Sequence, residues 1–377
     1  VRQKYWLFLL IFVATQTFLP AWDVVLNEGR RYVSIDDICQ FYRLNPVEIS
    51  SESFRIANAS KTIKGKSGTR EVYINNVKYV LCFPIIAKNG KILISAMDVT
   101  KIIEPVMRPG LIKNATGVTT VILDAGHGGH DSGAKGPFGI EKEAALDVVQ
   151  RAKRLLTQAG YNVRLTRSTD GFIPLEDRPA LANKFPNAVF VSVHFNKSST
   201  VGGTGIETFA LAPRGVPSMD EENLSYNDLK EYPGHSHDAE NVALATAMHS
   251  SMLRQMRLAD RGIKRARFVV IRDLNIPGVL LEGGFMNHPI DGRLIAGSAY
   301  RDSFARAILE GVSRYRSAVS GQTSYQAPSA VASATDPVTI PDLRRSLTPL
   351  GMNPTLNDAI ERTATTISSQ SPTPNQQ

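Results

Sequence analysis

Cysteine is scarce in this chain: Cys39 and Cys82 are the only two in 377 residues. That excludes a disulfide scaffold, a zinc finger and an iron–sulfur centre. Any metal must then be held by histidine and carboxylate. Long apolar runs are missing too. A membrane span needs about 20 apolar residues, whereas the run near the N-terminus covers only Trp6 to Val13, extended less strictly to Phe18. The basic residues are scattered, and no motif of stacking aromatics accompanies them, which argues against nucleic acid as a partner. What the chain does have is length and a positive balance. Lys plus Arg number 43 against 35 for Asp plus Glu, a net +8 that suits an anionic polymer or surface. With 42% hydrophobic residues, it can bury more than one core.

The composition divides the chain. In 1–22, Arg2 and Lys4 precede the apolar run, the order of a secretory signal with a cleavage site near Ala21. This predicts export to the periplasm or exterior, association with the cell envelope, and membrane contact through the leader alone. Residues 23–109 read as a small α+β domain with an internal repeat. Gly29 to Ser34 with Asp37-Ile38 matches Gly90 to Ser95 with Asp98-Val99, each copy a turn, a strand, a Ser N-cap and a short helix. Asn75-Asn76 marks a hairpin between Arg70 to Tyr73 and Val77 to Cys82. Cys39 and Cys82 both fall here, either paired after export or left as buried thiols, the latter favoured. A linker at 110–117 leads to 118–316, and the Ser, Thr, Pro and Gln-rich stretch 317–377 cannot bury enough apolar surface to order.

Between 118 and 316, apolar strands alternate with helices: Val118 to Leu123, a helix from Ala144 to Ala159, then strands at Asn162, Ala188, Ile206, Phe268 and Val279, with long helices from Ala239 and Ser298. This predicts an α/β domain with a mainly parallel sheet and helices on both faces, whose ligands bind at the carboxyl ends of the strands. Three buried strands lead there to chemistry: the first to Asp124 and His127, the Ala188 strand to His194, the Val279 strand to Glu282. Glu141, opening the helix before Ala144, is a fourth candidate, or simply complements the helix dipole. Two imidazoles and a carboxylate around zinc leave a position for water, the open arrangement of a hydrolytic site. Glu282 is then the choice for moving the proton, and Asp124 for holding the far ring nitrogen of a ligand histidine. Arg178 reads chiefly as an ion-pair partner. Asn196 and Asn287 suit substrate contact or turn stabilisation, and His130 suits solvent.

Asp124-Ala125-Gly126-His127-Gly128-Gly129, Asp131 to Ala134, Gly139 to Lys142, Val191 to Asn196, Gly205 to Phe209, Asp260-Arg261-Gly262 and Leu280 to Asn287 resemble, in order and spacing, the zinc-dependent N-acetylmuramoyl-L-alanine amidases of the Amidase_3 type. The resemblance implies a zinc-exopeptidase-like fold and hydrolysis of the amide between N-acetylmuramic acid and L-alanine in peptidoglycan. It assigns zinc to His127, Glu141 and His194, and the general base and acid to Glu282. Ala125 and Gly283 depart from the usual proline and small polar residue without removing a ligand. Alternatives are another zinc amide hydrolase on this fold or a non-catalytic wall-binding protein. Residues 24–109 resemble the repeated module at the N-terminus of copper amine oxidases and of some cell-wall enzymes, but without a histidine to bind copper. In some related amidases a segment placed like 212–240 covers the zinc until a protein activator displaces it. Here Glu221, Glu222 or Glu231 would have to reach the metal, and a solvated loop lining the cleft is the favoured alternative.

Overall fold

The computed structural model describes residues 22–321 apart from Asn114, Thr116, Val201, Asp220 and Glu222, so the leader up to residue 21 and the segment 322–377 lie outside the described residues. Thr120–Ala125 is buried along its whole length and pairs in parallel with Asn162–Leu165 on one side and Ala188–Asn196 on the other. Gly278–Phe285 continues the parallel set beyond Ala188–Asn196. Burial from both faces is why these strands read as unbroken apolar runs. The next strand, Ile206–Leu211, turns round: it is antiparallel to Gly278–Phe285 and parallel to Asp260–Ala266.

From Asp260–Ala266 the sheet passes through a bridge, Ile263 to Tyr79, into the antiparallel meander Val77–Val80, Glu71–Ile74, Thr62–Lys66, Ser53–Ala57 and Asn45–Ile49, making eleven strands in one mixed sheet. The segment 23–109 is therefore seated on its neighbour by strand pairing. Lys78 N donates to Asp260 Oδ2 at 3.0 Å, and the buried Tyr79 hydroxyl meets Thr246 Oγ1 at 3.0 Å. The hairpin at Asn75-Asn76 forms as expected, with both asparagines at positive φ, the turn geometry that Asn tolerates.

The repeat folds as two like halves. Val24–Asn27, Arg30–Ser34, Lys91–Ser95 and Ile86–Lys88 form a four-stranded sheet in that order, with the matching strands paired at its centre. Ser34 and Ser95 each cap the following helix, accepting from Asp37 N at 3.1 Å and Asp98 N at 3.0 Å. Cys39 and Cys82 are buried free thiols, and burial raises the pKa of each.

Strand alternation separates two layers. Val121, Leu123, Val189, Val191, Val193, Val279 and Leu281 face the long helices Glu141–Gln158, Asp238–Met256 and Ser298–Val319. Ile122, Phe190, Phe209 and Leu280 face the other way, into a smaller core with Ala182, Val270 and Ile271 from short helices. Several elements differ from the sequence reading: Pro289–Ala296 is a helix that it missed, and the closing helix runs to Val319, past the expected boundary at 316. Phe268 to Ile271, expected as a strand, leads into the one-turn helix Val269–Arg272, because four apolar residues carry no period. Asp260–Ala266 is a strand despite four charged residues, since its polar side chains have ion-pair partners.

Candidate active site

The chemistry lies on the smaller-core face, where the apolar layer gives out. Along each strand the residue two positions beyond a core side chain is polar: Ile122 then Asp124, Phe190 then Ser192 and His194, Leu280 then Glu282. His194 and Glu282 are paired in register across adjacent parallel strands.

His127, Glu141 and His194 converge, with one donor atom from each lying within 4.8 Å of the others. Glu141 is buried, and its Oε1 is 2.8 Å from His194 Nδ1 and 3.1 Å from His127 Nε2. Phe195 N donates to the same oxygen at 3.1 Å, and Ala134 N to Oε2 at 2.7 Å. Burial alone would raise the Glu141 pKa, but the hydrogen bonds and charge of the two imidazoles outweigh it and hold the group well below the usual carboxylate range. The histidine side chains keep 24% and 17% exposure, so the cluster has an open side.

Two glycines make room for it. A Cβ on Gly126 would lie 2.5 Å from Nε2 and 2.6 Å from Nδ1 of His194, and one on Gly133 would lie 2.5 Å from both Glu141 Oε2 and His127 Cδ2. His127 itself has φ of 60°, a left-handed conformation that costs a side chain about 1–2 kcal/mol and persists only where its surroundings enforce it. Arg178 supplies part of that enforcement, donating from Nη2 to His127 O at 3.0 Å.

Glu282 is half-buried beside the cluster, and its buried Oε2 has no hydrogen-bond partner among the described residues. Burial, then the charges of Glu141 and Glu207, push its pKa well above the usual range, with Lys264 opposing. Glu207 is its cross-strand partner, a residue present in the sequence motifs but assigned no role there. Glu207 is neutralised by Arg261 and by Lys264, whose Nζ is 2.8 Å away.

The remaining site residues sort differently from the sequence reading. Asp124 does not hold a ligand histidine. It accepts from Thr166 Oγ1 and Ser192 Oγ, each at 2.6 Å, and from Arg178 Nη1 at 2.9 Å, all buried. The His127 Nδ1 partner is Asp131, at 2.8 Å. A carboxylate four residues on, beyond a turn, was the available signal. Arg178 is the ion-pair partner expected, tying Asp124 to the His127 loop. We expect Asp124→Ala to leave that guanidinium buried and unpaired and to cost about 3–5 kcal/mol in denaturant unfolding. Asn287 brackets Ser198, accepting from its N at 3.0 Å and donating to its O at 2.8 Å, so it fixes a turn. Asn196 donates to Glu207 Oε2 at 3.3 Å, and exposed His130 lies against Phe172.

The 212–240 segment is tied to the opposite end of the sheet. Because Ile206–Leu211 runs against Gly278–Phe285, the chain leaves it beside Gly278, four residues before Glu282. Asn241 links Gly234 O to Gly278 N, and His237 Nε2 meets Asn275 O at 2.9 Å. Glu231 pairs with Arg214 and His235, and neither it nor Glu221 joins the three-residue cluster among the described residues; Glu222 lies outside them.

The chain is similar to known proteins. A family model described as N-acetylmuramoyl-L-alanine amidase matches residues 121–314. N-acetylmuramoyl-L-alanine amidase AmiA of Escherichia coli (strain K12) is 32% identical over 225 residues, covering 54% of this chain and 78% of the relative. The uncharacterized protein YqiI of Bacillus subtilis (strain 168) is 32% identical over 196 residues, covering 52% and 84%. The catalytic domain of CwlV, an N-acetylmuramoyl-L-alanine amidase from Bacillus (Paenibacillus) polymyxa var. colistinus, is a solved structure 30% identical to this chain, covering 52% of it and 98% of that domain with a TM-score of 0.44. The chain thus belongs to the N-acetylmuramoyl-L-alanine amidase family, the peptidoglycan hydrolases that cut the amide between N-acetylmuramic acid and the L-alanine of the stem peptide.

Proposed function

We propose that this hydrolysis depends on zinc held by His127, Glu141 and His194, that Glu282 carries the proton, and that the enzyme works outside the cytoplasm on the cell wall. The observation that carries the reading is the convergence of two imidazoles and one carboxylate with an open side. That donor set suits zinc in a catalytic rather than a closed structural site. The glycine cradle at Gly126 and Gly133 supports it, since the space is filled by ligand side chains and by nothing else that would justify the close approach. When bound, zinc supplies a Lewis acid that polarises the scissile carbonyl and makes water acidic enough to attack near neutral pH.

The protein's own groups do the rest. Asp131 fixes the His127 ring so that Nε2 faces inward, and the two backbone N–H groups at Ala134 and Phe195 fix the Glu141 carboxylate. Glu282 takes the proton from the attacking water and returns it to the leaving amine nitrogen as the C–N bond breaks. Burial and the neighbouring acids raise its affinity for a proton, so it can accept one from water and hold it until the amine leaves. Arg261 and Lys264 offset the Glu207 charge, which would otherwise oppose ionisation of Glu282 still more strongly. Export rests on Arg2 and Lys4 ahead of the apolar run and on the extracytoplasmic position of the substrate. No helix of the described residues is long and apolar enough to cross a membrane.

Elemental assay of the purified full chain tests the metal. We expect roughly one zinc per chain, its loss on dialysis against a chelator together with activity, and recovery of both on adding zinc. His127→Ala/His194→Ala should not retain the ion. Full turnover by the stripped protein would remove zinc from the mechanism.

A further inference from the structure

The sheet that carries the active site does not end at the family's boundary, and its catalytic face continues across the meander. Starting from Glu282, the same face presents Glu207, then Lys264, which sits opposite Phe209. Lys78 follows, its stem packed over Gly262 so closely that a Cβ there would meet it at 3.1 Å. Beyond it the register is direct: Lys78 opposite Tyr73, Tyr73 opposite Lys64, Lys64 opposite Arg55. The alternate residues of these strands, Phe54, Ile56, Ile63, Val72, Ile74 and Tyr79, are buried on the other side, which fixes the orientation of this row.

The row has the chemistry of a binding surface. Lys64 Nζ lies 4.9 Å and Lys78 Nζ 5.9 Å from the centre of the Tyr73 ring, so a half-exposed aromatic is flanked by cations. Lys78 is paired with Glu71 at 3.0 Å, whereas exposed Arg55 and Lys64 have no ion-pair partner among the described residues. The face is concave as well, a groove of about 370 Å³ lined by Glu48, Arg55, Lys64, Lys66, Glu71 and Tyr73. Three strand spacings separate Lys78 from Glu282 and six separate Arg55, so at about 4.8 Å per strand the row extends roughly 14 Å and 29 Å across the twisted sheet. A single sugar–peptide unit at the active site does not reach that far, but a polymer does.

We propose that this cationic, aromatic ledge binds the peptidoglycan strand beyond the unit being cut, with Arg55 and Lys64 meeting the free carboxylates of neighbouring stem peptides and the Tyr73 ring lying against the glycan. The inference rests on the amidase activity and on Glu282 marking the reacting end. It makes the meander a substrate-positioning extension of the active site. Charge complementarity selects the occupant, since stem peptides carry carboxylates, and continuity of one sheet face links it to the cut bond.

The test compares two substrates with the full chain and its Arg55→Glu/Lys64→Glu variant. One is sacculi freed of phosphate-containing wall polymers; the other is a soluble N-acetylmuramoyl-tetrapeptide too short to reach the ledge. Reversing two exposed charges should raise the half-saturating concentration of sacculi about tenfold, with kcat unchanged and the wild-type preference falling as salt rises. Turnover of the short substrate should not change, which separates the ledge from the reaction itself. Tyr73→Ala should weaken the sacculus interaction without altering its salt dependence. Equal loss on both substrates, no loss on either, or loss only on sacculi that keep their phosphate polymers would overturn the proposal. Inactivity of the wild type on the short substrate would instead count against the assigned catalytic centre.

Discussion

Glu282→Gln should lower kcat on peptidoglycan by on the order of 10³ while the purified variant keeps its zinc and its folded structure. Glutamine preserves the shape and volume of this half-buried side chain, so the packing beside Glu141 and Glu207 is undisturbed. It takes no proton from water and offers none of comparable acidity to a leaving amine. Glu282 Oε2 has no hydrogen-bond partner among the described residues, so substitution at that atom breaks no contact. The carboxyl also sits in repulsion from Glu141 and Glu207, only partly opposed by Lys264, so removing its charge should not weaken the fold. Loss of turnover with unchanged zinc content and undiminished Tm separates a proton carrier from a ligand, because replacing His194 should release the ion. Activity within tenfold of the wild type would assign the proton transfer elsewhere.

Much of this site was legible in the sequence for a simple reason: the strands that carry it are buried on both faces. Val121-Ile122-Leu123, Val189 to Val193 and Val279-Leu280-Leu281 announce themselves as apolar runs, and the polar groups that end or follow them stand out. The resemblance in motif order then assigns ligation to His127, Glu141 and His194 and proton transfer to Glu282, as an expectation. Strand direction left no such mark. Ile206–Leu211 has the composition of its parallel neighbours, and only its pairing with Gly278–Phe285 reveals that it runs the other way. That reversal moves the described residues of 212–240 to the far end of the sheet, so the autoinhibitory reading and the favoured one, a loop lining the cleft, both lose their geometry.

Partner choice among acids was equally hidden. Asp124 and Asp131 flank His127 at similar separations in sequence, but His127 lies in a left-handed turn bridged by Gly128 and Asp131, which folds the later carboxylate back on the ring. Asp124, still inside its strand, points into the buried polar group of Thr166, Arg178 and Ser192. The link between the meander and the amidase sheet rests on long-range pairing between Ile263 and Tyr79, for which local pattern carries no signal.

Gly126→Ala should abolish tight zinc binding although it changes none of the three proposed ligands. Gly126 does not have positive φ, so alanine suits its backbone, and the effect comes from the added methyl alone. That methyl would overlap both ring nitrogens of His194, so either the backbone or the ring must move. The backbone is pinned on both sides: Gly126 N donates to Val193 O at 3.1 Å, and Arg167 Nη2 donates to Gly126 O at 2.7 Å. The ring therefore yields, and His194 Nδ1 leaves its place 2.8 Å from Glu141 Oε1. Displacement of one of three ligands exceeds the disturbance caused by losing a supporting hydrogen bond, which typically costs 10–100-fold in metal affinity, so a loss of at least about 100-fold is expected. Gly202→Ala is the control, because a Cβ there meets nothing within 4 Å. Zinc titration followed by elemental assay reads the difference, and turnover at limiting zinc should fall in step. If Gly126→Ala binds zinc as tightly as Gly202→Ala, the position of the His194 ring is not what holds the ion.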